Sequence, residues 1–363
     1  MLNNKTIAVI VPAYNEEKQI SMVIETMPDF VDRIIVVNDC SKDNTADVVK
    51  SYFDKKENPE CELKSRELKK ENKYNRAEIL QQEKILDAKN LFPESEVIFK
   101  NLDSRIILIN YKKNQGNGKA IARGYLWALE NRIDCTAVMD GDGQMDPNEL
   151  IDICKPVIEE NIDYVKGNRL IHRSAWLIMP KSRYIGNSIL SIFTKIASGY
   201  WRVSDTQTGY TAMGLKALES IRLNEIYRSY GWPNDIMVKL NIAFCTLKEV
   251  EIKPVYNIGE KSKMKLIKVI PRISWLLFIS FFKRLWIKYL FRDFHPLFIL
   301  YHLGLILFLI CIPYMLKIFK AVLFGYDISN LPILAFVFLF ITGIQFLLFA
   351  MWMDIQDNER LYK

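Results

Sequence analysis

The sequence predicts an α/β domain with a mostly parallel sheet, followed by an amphipathic interfacial helix and a hairpin of two membrane-spanning helices. Three observations support this fold class. Strand-like and helix-like segments alternate through residues 6–159, two long apolar runs stand towards the C-terminus, and basic residues concentrate just before the first run. Strands that alternate with helices form sheets covered on both faces, and ligands bind at the carboxyl ends of such strands.

The elements of the first half follow from the spacing of apolar residues. We expect strands at residues 6–11, 33–37, 105–110 and 136–139, and helices at residues 16–27, 44–53, 119–131 and 148–159. Residues 54–104 interrupt the alternation with a charged segment that has no glycine and few large apolar residues before Ile79. Such a segment is either disordered or a long solvated helix, and the lack of glycine favours the helix.

Two apolar runs, residues 297–316 and 331–353, contain no Lys, Arg, Asp or Glu. Each approaches the ~20 residues that a spanning helix needs. A buried core helix can be equally apolar, but two successive runs favour a transmembrane hairpin. We expect Pro313 to kink or end the first span, and His302 to be a packed polar residue rather than a ligand.

The compartment of the globular part is inferred from its N-terminus and its cysteines. No cleavable signal peptide is visible, since the first residues lead directly into a strand-like run. The six cysteines have neither metal-ligand nor paired spacing, which is typical of a reducing compartment. We therefore expect the globular part to be cytoplasmic and anchored in the cell membrane.

The net charge of +7 is concentrated between Lys253 and Arg292, where basic residues are opposed only by Glu260. Basic residues next to a span mark its cytoplasmic side. A polybasic segment also suits nucleic acid, but its place beside a membrane anchor favours an anionic lipid or lipid phosphate, and we expect no nucleic-acid partner. Residues 273–291 are predicted to form an amphipathic interfacial helix. Its polar residues at helical spacing are Ser280, Lys283, Arg284 and Lys288.

These observations divide the chain into four parts. They are a globular domain (residues 1–258, with 54–104 as an insertion), a basic juxtamembrane segment (259–295), two spans (296–354) and a cytoplasmic tail (355–363).

The segment Asp140-Gly141-Asp142-Gly143-Gln144 places two carboxylates at the end of the predicted strand 136–139. Two hard oxygen ligands at the end of a strand suit Mg²⁺ or Mn²⁺ carrying a diphosphate, and Gln144 adds a neutral oxygen donor. Alternatively, the segment is an acidic turn that caps the helix beginning near Pro147.

Three more loops, residues 12–17, 38–45 and 114–119, follow predicted strands or adjoin them. Each also has an ordinary explanation, as a helix start with acidic residues, a helix cap or a turn. The residues that they offer to a nucleotide are Pro12, Tyr14, Glu16, Asp39, Gly118 and Lys119, of which Gly118 and Lys119 in the third loop could approach its phosphates.

In this order the four motifs resemble the family 2 glycosyltransferases with a GT-A fold, which transfer a sugar from a nucleoside diphosphate. The resemblance runs from about residue 6 to residue 265 without the insertion. Within the family, the chain is similar to the polyprenyl-phosphate (dolichyl-phosphate) sugar synthases. This likeness rests on Gly167-Asn168-Arg169, on residues 205–210 and on residues 259–263.

The resemblance implies a role for each candidate residue. Asp140, Asp142 and Gln144 would hold Mg²⁺ or Mn²⁺ with the donor diphosphate. Pro12, Tyr14, Glu16 and Asp39 would hold the nucleoside. Arg169, Arg183, Lys261 and Lys263 would gather the phosphates of the donor and of a polyprenyl-phosphate acceptor, with inversion at the anomeric carbon. Asp205 or Asp235 would orient an arginine, contact sugar hydroxyls or act as a base, and Asp235 alternatively caps a helix.

The donor and the acceptor stay open in part. Asn38, Cys40 and the segment 232–235 depart from the pattern of the mannose synthases, which favours a UDP-sugar over GDP-mannose. The chain lacks the Gln-x-x-Arg-Trp motif of processive synthases, which indicates one hexose or N-acetylhexosamine per turnover. The alternatives are a hydroxyl acceptor on another lipid or a growing glycan, and a non-catalytic nucleotide-binding membrane subunit. Homo-oligomers through the hairpin are a further expectation.

Overall fold

The computed structural model describes residues 2–54, 72–101, 104–256, 266–325 and 327–363. Its strands are β1 (Ile7–Ala13), β2 (Arg33–Asn38), β3 (Ser95–Ile98), β4 (Ile106–Tyr111), β5 (Cys135–Val138), β6 (Tyr164–Asn168), β7 (Thr211–Gly214) and β8 (Leu247–Glu251). They form one sheet in the order β3-β4-β2-β1-β5-β7-β6-β8.

The centre of the sheet is parallel. Strand β1 pairs in parallel with β2 and β5, and β2 pairs in parallel with β4. Strand β7 is antiparallel to both of its neighbours, and β3 is an antiparallel edge strand. All seven residues of β1 are buried, as expected of a strand covered on both faces. The predicted α/β fold with a mostly parallel sheet is confirmed.

The described residues form helices α1 (Ile20–Glu25), α2 (Thr45–Lys50), α3 (Arg76–Asn90), α4 (Asn117–Glu130), α5 (Leu150–Glu159), α6 (Ala175–Ile178), α7 (Lys181–Ser198), α8 (Leu215–Ser220), α9 (Trp232–Ile242), α10 (Leu266–Trp286), α11 (Pro296–Phe324) and α12 (Asn330–Glu359). Some of them cover the two faces of the sheet. One hydrophobic core lies between the sheet and α4, α8 and α9, and the other lies between the sheet and α1 and α5.

The predicted insertion contains more than a helix. Its described residues form α3 and then β3, which pairs antiparallel with β4. The prediction of helix alone is therefore corrected. No residue of β3 is fully buried, and its short sequence lacks the apolar run of a central strand. Residues 55–71 and 102–103 lie outside the described part.

Helices α11 and α12 are long and apolar enough to cross a membrane, with mean hydropathy of 2.3 and 2.5. They pack against each other at two glycines. A Cβ at Gly304 would lie 2.8 Å from the side chain of Leu347, and one at Gly343 would lie 3.4 Å from Phe308. Small residues allow such close approach between membrane helices. Pro313 does not end the first helix, which continues to residue 324.

The segment predicted as a cytoplasmic tail is part of the fold. Helix α12 continues past the apolar run to Glu359, and the chain then returns to the sheet. The backbone amide of Leu247 donates to the Leu361 carbonyl at 2.7 Å, and that of Lys363 donates to the Leu247 carbonyl at 2.9 Å. The final residues thus pair with the first residue of β8, at the edge of the sheet.

The predicted interfacial helix corresponds to α10 and a π-helical turn, Ile287–Arg292. Three of its predicted polar residues, Ser280, Arg284 and Lys288, are buried. This arrangement corrects the expectation of a solvated polar face, since the polar residues find partners inside the protein. The exposed residues of α10 and its neighbour α7 form an apolar surface. Its members are Ile185, Ile189, Ile192, Phe193, Trp275, Phe278 and Ile279.

We predict opposite stability effects for two helical glycines. A Cβ at Gly124 of α4 would lie 2.6–3.0 Å from the Ile10 side chain, so Gly124→Val should lower the free energy of unfolding by about 1–3 kcal/mol. A Cβ at Gly186 of α7 meets nothing within 4 Å, so Gly186→Ala should raise it by up to ~1 kcal/mol. Denaturant unfolding in detergent micelles measures both, and equal stability of the two variants would contradict the packing of α4 on β1.

Candidate active site

A cavity of about 800 Å³ opens where the loops after β1, β2 and β5 meet. Residues from α7, α9 and α10 complete its wall. Nine residues predicted from the sequence line it, namely Pro12, Tyr14, Glu16, Asp39, Asp140, Asp142, Gln144, Arg169 and Arg183.

Hydrogen bonds connect the loops after β1 and β2, and each loop contains a residue with left-handed backbone. Asn15 and Cys40 have φ of 56° and 59°, a conformation that favours glycine. The Asn15 side chain accepts from the Lys42 amide at 2.8 Å, and the Ser41 hydroxyl accepts from the Asn15 amide at 2.9 Å. These bonds hold both loops at the rim of the cavity.

Asp39 both lines the cavity and organises the neighbouring loop. Its Oδ1 accepts from the Gln115 amide at 2.6 Å, and its Oδ2 accepts from the Gly116 amide at 2.8 Å. Burial raises the pKa of Asp39, while the two amides and the charge of Arg228 oppose the shift. The carboxylate thus fixes the segment that sequence reasoning assigned to phosphate binding.

Gly118 and Lys119 do not line the cavity. The Gly118 amide donates to the Arg228 carbonyl at 3.1 Å, and a Cβ at Gly118 would lie 1.9 Å from the Tyr227 carbonyl oxygen. The Lys119 ammonium donates to the Asn224 carbonyl. The phosphate role predicted for these two residues is therefore corrected, because glycine here permits contact between two loops and the lysine points into the protein.

Asp140 and Asp142 lie close enough to destabilise each other's charge. Burial, then Asp142 and Glu16, raise the pKa of Asp140 to about 7, although Arg169 opposes the shift. The Gln144 Nε2 atom is buried without a hydrogen-bond partner in the described part of the chain. A divalent cation would offset the carboxylate repulsion, and Gln144 would reach it through its amide oxygen. The part of the chain that the structure describes contains no group of three or more His, Cys, Asp or Glu suited to a metal. Diphosphate and water would therefore supply the remaining ligands of the cation.

The alternative of a helix-capping acidic turn applies to a different residue. Asp146 is the N-cap of the 3₁₀ turn Pro147–Glu149, and its side chain accepts from the Asn148 amide at 3.0 Å. Asp142 instead accepts from the Gln144 amide at 3.0 Å within its own loop. Capping therefore does not account for the two carboxylates in the cavity.

Arg169 is held by a fully buried carboxylate. Its Nε donates to Asp205 Oδ2 at 2.7 Å, and its Nη2 donates to Asp205 Oδ1 at 3.1 Å. Burial disfavours the Asp205 charge, but Arg169 and Lys166 outweigh this effect and keep the pKa of Asp205 below its usual value. Among the roles left open by the sequence, the geometry favours orientation of the arginine.

Asp235 does not belong to the cavity wall. Asp235 accepts from the Tyr227 amide at 2.9 Å and pairs with Lys239 in the first turns of α9. It does not line the cavity, and it is not a helix cap because α9 already begins at Trp232. Its predicted catalytic role is thus corrected. Lys261 and Lys263 lie outside the described residues.

Comparison with known proteins identifies the family. The Glycosyl transferase family 2 model matches residues 8–78 and 93–222, more than half of the chain. The chain belongs to glycosyl transferase family 2. It is a glycosyltransferase, as the four sequence motifs indicated.

Relatives of this family 2 chain match it over most of their own length. UDP-N-acetylglucosamine–dolichyl-phosphate N-acetylglucosaminyltransferase of Methanococcus voltae is 30% identical over 260 residues, 70% of this chain and 87% of the relative. A dolichyl-phosphate beta-glucosyltransferase of Trichomonas vaginalis is 24% identical over 298 residues, 77% of this chain and 74% of the relative. The solved structure of Mycobacterium tuberculosis glucosyl-3-phosphoglycerate synthase with Mn²⁺, UDP and glucosyl-3-phosphoglycerate is 14% identical, with TM-score 0.46 over 77% of this chain and 80% of that chain.

The sequence did not indicate Arg228 or Glu149 as site residues of this glycosyltransferase. Arg228 lines the cavity from a loop that carries no recognisable motif. Glu149 also lines it, and one of its oxygens accepts from the Lys253 amide at 2.8 Å while the other is buried without a partner among the described residues. Burial raises the pKa of Glu149. Its position after Pro147 indicated only an ordinary helix start.

One part of the cavity wall, its apolar end, is formed by Leu190 of α7 and by Val269, Ile270 and Ile273 of α10, which pack in one hydrophobic cluster. Asp140 and the other charged residues, its charged end, line the same cavity of the family 2 domain.

We predict that ionisation of the Asp140 carboxyl group, whose pKa is raised, lowers the stability of the metal-free protein. The folded protein keeps a proton that the unfolded chain releases between pH 3.8 and about 7, so stability falls as the pH rises through that window. Asp140→Asn should therefore stabilise the protein at pH 8 by roughly 1–2 kcal/mol, with a smaller gain at pH 5.

Asp146→Asn is the matched control, because hydrogen bonds to Asn148 and Lys253 outweigh burial and lower the pKa of Asp146. This change should instead reduce stability at pH 8. Thermal unfolding in metal-free buffer measures both variants, and a loss of stability in Asp140→Asn at pH 8 would contradict the buried carboxylate pair.

Proposed function

We propose that this glycosyltransferase transfers one sugar from a nucleotide sugar to a polyprenyl monophosphate, with inversion and with Mg²⁺ or Mn²⁺, at the cytoplasmic face of the membrane. The observation that carries the proposal is a cavity whose wall combines the Asp140 and Asp142 carboxylates, three arginines and an apolar part contributed by α7 and α10. The names of the Methanococcus and Trichomonas relatives support the same class of acceptor.

The donor would lie at the charged end. Tyr14, Glu16 and Asp39 would hold the nucleoside, and Asp140 and Asp142, with Gln144, would hold the metal; all six line the cavity. When bound, the cation would offset the charge of the departing diphosphate. We favour a UDP-sugar, with N-acetylglucosamine or glucose as the first sugars to test, because the names of two relatives contain them. GDP-mannose is the second candidate.

The acceptor would enter from the apolar end. A phosphate monoester with a pKa near ~6 is largely ionised at neutral pH, so it needs positioning rather than deprotonation. Arg169 and Arg183 also line the cavity, and guanidinium groups bind phosphate oxygens in a forked geometry. Leu190 and Ile273 offer apolar contact to the first isoprene units.

The phosphate acceptor is favoured over a hydroxyl acceptor. A hydroxyl needs a base, and the sequence offered Asp205 and Asp235 for this role. Asp205 is fully buried against Arg169, and Asp235 pairs with Lys239 away from the cavity. The non-catalytic alternative is not supported, because the chain belongs to a family of enzymes and both candidate metal ligands line the cavity.

Three features support the proposed placement of the enzyme at the membrane. Helices α11 and α12 have the length and composition of spans, the preceding segment is basic, and α7 and α10 expose the apolar surface described above. Basic residues would face the anionic cytoplasmic leaflet while apolar side chains enter the interface. This arrangement brings the cavity to a lipid acceptor that cannot leave the bilayer.

We predict that product forms only with a divalent metal and an ionised lipid phosphate. Purified protein would be incubated with UDP-sugars or GDP-mannose, Mg²⁺ or Mn²⁺, and polyprenyl phosphates, and the products resolved by mass. Asp142→Ala should abolish transfer, because it removes one proposed metal ligand, whereas Asp146→Asn in the same loop should retain it. Turnover without metal, or transfer only to a neutral lipid hydroxyl, would contradict the proposal.

A second prediction separates the two buried carboxylates. Asp205→Asn should slow transfer on the order of tenfold or more, since Arg169 loses its partner and its orientation. Asp235→Asn should leave kcat unchanged and lower only the thermal stability. If Asp235→Asn instead abolished the chemical step with nucleotide binding intact, a base-dependent hydroxyl acceptor would be favoured.

A further inference from the structure

A buried polar junction connects the second span to the catalytic domain. We define the junction by six residues from α9, α10, the π-helical turn and α12. They are Asn241, Arg284, Lys288, Tyr289, Asp354 and Asn358, and each is at most 3% exposed. Polar groups this deeply buried need partners, and here they find them mainly in one another.

The core of the junction is an ion pair between α10 and α12. Arg284 Nη1 donates to Asp354 Oδ1 at 2.7 Å, and Nη2 donates to Asp354 Oδ2 at 2.8 Å. The same guanidinium donates from Nε to the Ala197 carbonyl at 2.9 Å and from Nη2 to the Ile196 carbonyl at 3.1 Å, in the last turn of α7. A cation is favoured at this end of a helix dipole. Arg284 therefore joins three helices at once.

The remaining residues extend the junction to α9. Lys288 donates to Asn358 Oδ1 at 2.6 Å and to Asn241 Oδ1 at 3.2 Å. Asn241 donates in turn to Asn358 Oδ1 at 2.7 Å, and the Tyr289 hydroxyl donates to Asp354 Oδ1 at 2.7 Å. Directional bonds of this kind fix one relative position of the helices, whereas apolar contacts tolerate sliding.

The helices that meet at the junction also line the cavity. Leu190 of α7, Trp232 of α9 and Ile273 of α10 all contribute to its wall. Helix α12 leaves the junction in the other direction as a membrane span. The contacts of Asp354 with Arg284 thus connect the apolar helix α12 to the helices that form the cavity wall.

We infer that Arg284 and Asp354 are positioning residues that hold the cavity at a fixed height and tilt over the bilayer, so that the phosphate of an embedded lipid reaches the donor. The inference rests on the proposed lipid-phosphate acceptor. It assigns the pair a role in the use of an embedded acceptor, beyond the stability of the fold.

The test uses the full chain reconstituted in phospholipid vesicles with two acceptors. One acceptor is a long polyprenyl phosphate embedded in the vesicle, and the other is a short isoprenoid phosphate that dissolves in water. Asp354→Asn replaces one acceptor oxygen by a donor facing Arg284 and so weakens the pair with little change in shape. Glu359→Gln is the matched control, because its carboxylate lies on the same helix in an exposed pair with Arg202.

Asp354→Asn should lower kcat/KM for the embedded acceptor on the order of tenfold or more, because misplacement by ~1 Å is costly for transfer. The KM for the nucleotide sugar and the rate with the soluble acceptor should stay at the wild-type values, which also shows that the variant is folded. Glu359→Gln should match the wild type with both acceptors.

Other outcomes separate the two proposals. Equal loss with both acceptors would show that the junction only shapes the cavity, and no loss with either would show that it only anchors the span; each overturns the inference. A wild-type protein that uses neither phosphate would overturn the proposed function itself. As a further variant, Arg284→Lys keeps the charge but loses the forked geometry, and it should reproduce the acceptor-specific loss.

Discussion

Repulsion between Asp140 and Asp142 is the constraint around which the site is built. The fold holds both carboxylates at the end of β5, inside a cavity where burial raises the pKa of Asp140 to about 7. Arg169 supplies part of the opposing charge, and Asp205 behind it keeps that arginine oriented. Folding alone leaves the acidic pair incompletely compensated. The same geometry is therefore unfavourable in the isolated protein, and the cation proposed above would offset it.

The membrane region follows a different rule from the one that its sequence indicated. An amphipathic helix at a bilayer normally turns its charged side towards water. Helix α10 instead buries Arg284 against α7 and α12 and exposes Trp275 and Phe278. Arg284 therefore serves contacts within the protein, whereas Arg272 and Lys283 of the same helix are exposed. The exposed aromatic side chains belong to the apolar surface that α10 shares with α7.

Local patterns predicted much of the fold because strand and helix periodicity depend on near neighbours in the chain. The continuous apolar run of β1 and the motif after β5 were both readable in this way. The errors concern long-range contacts. In the sequence alone Lys119 resembles a phosphate ligand, but in the fold its ammonium donates to the Asn224 carbonyl. Asp235 resembles an available carboxylate, but in the fold it pairs with Lys239. Arg228 enters the site from a loop without any periodic signal, so no local pattern could have found it.

The return of the chain to β8 has a consequence for biosynthesis. Leu361 and Lys363 pair with Leu247, but they follow both α11 and α12 in the chain. During translation, this pairing cannot form until both α11 and α12 have been synthesised. An unpaired strand edge is prone to pair with other chains. The first residue of β8 therefore gains its C-terminal partner only after the whole apolar hairpin has been made.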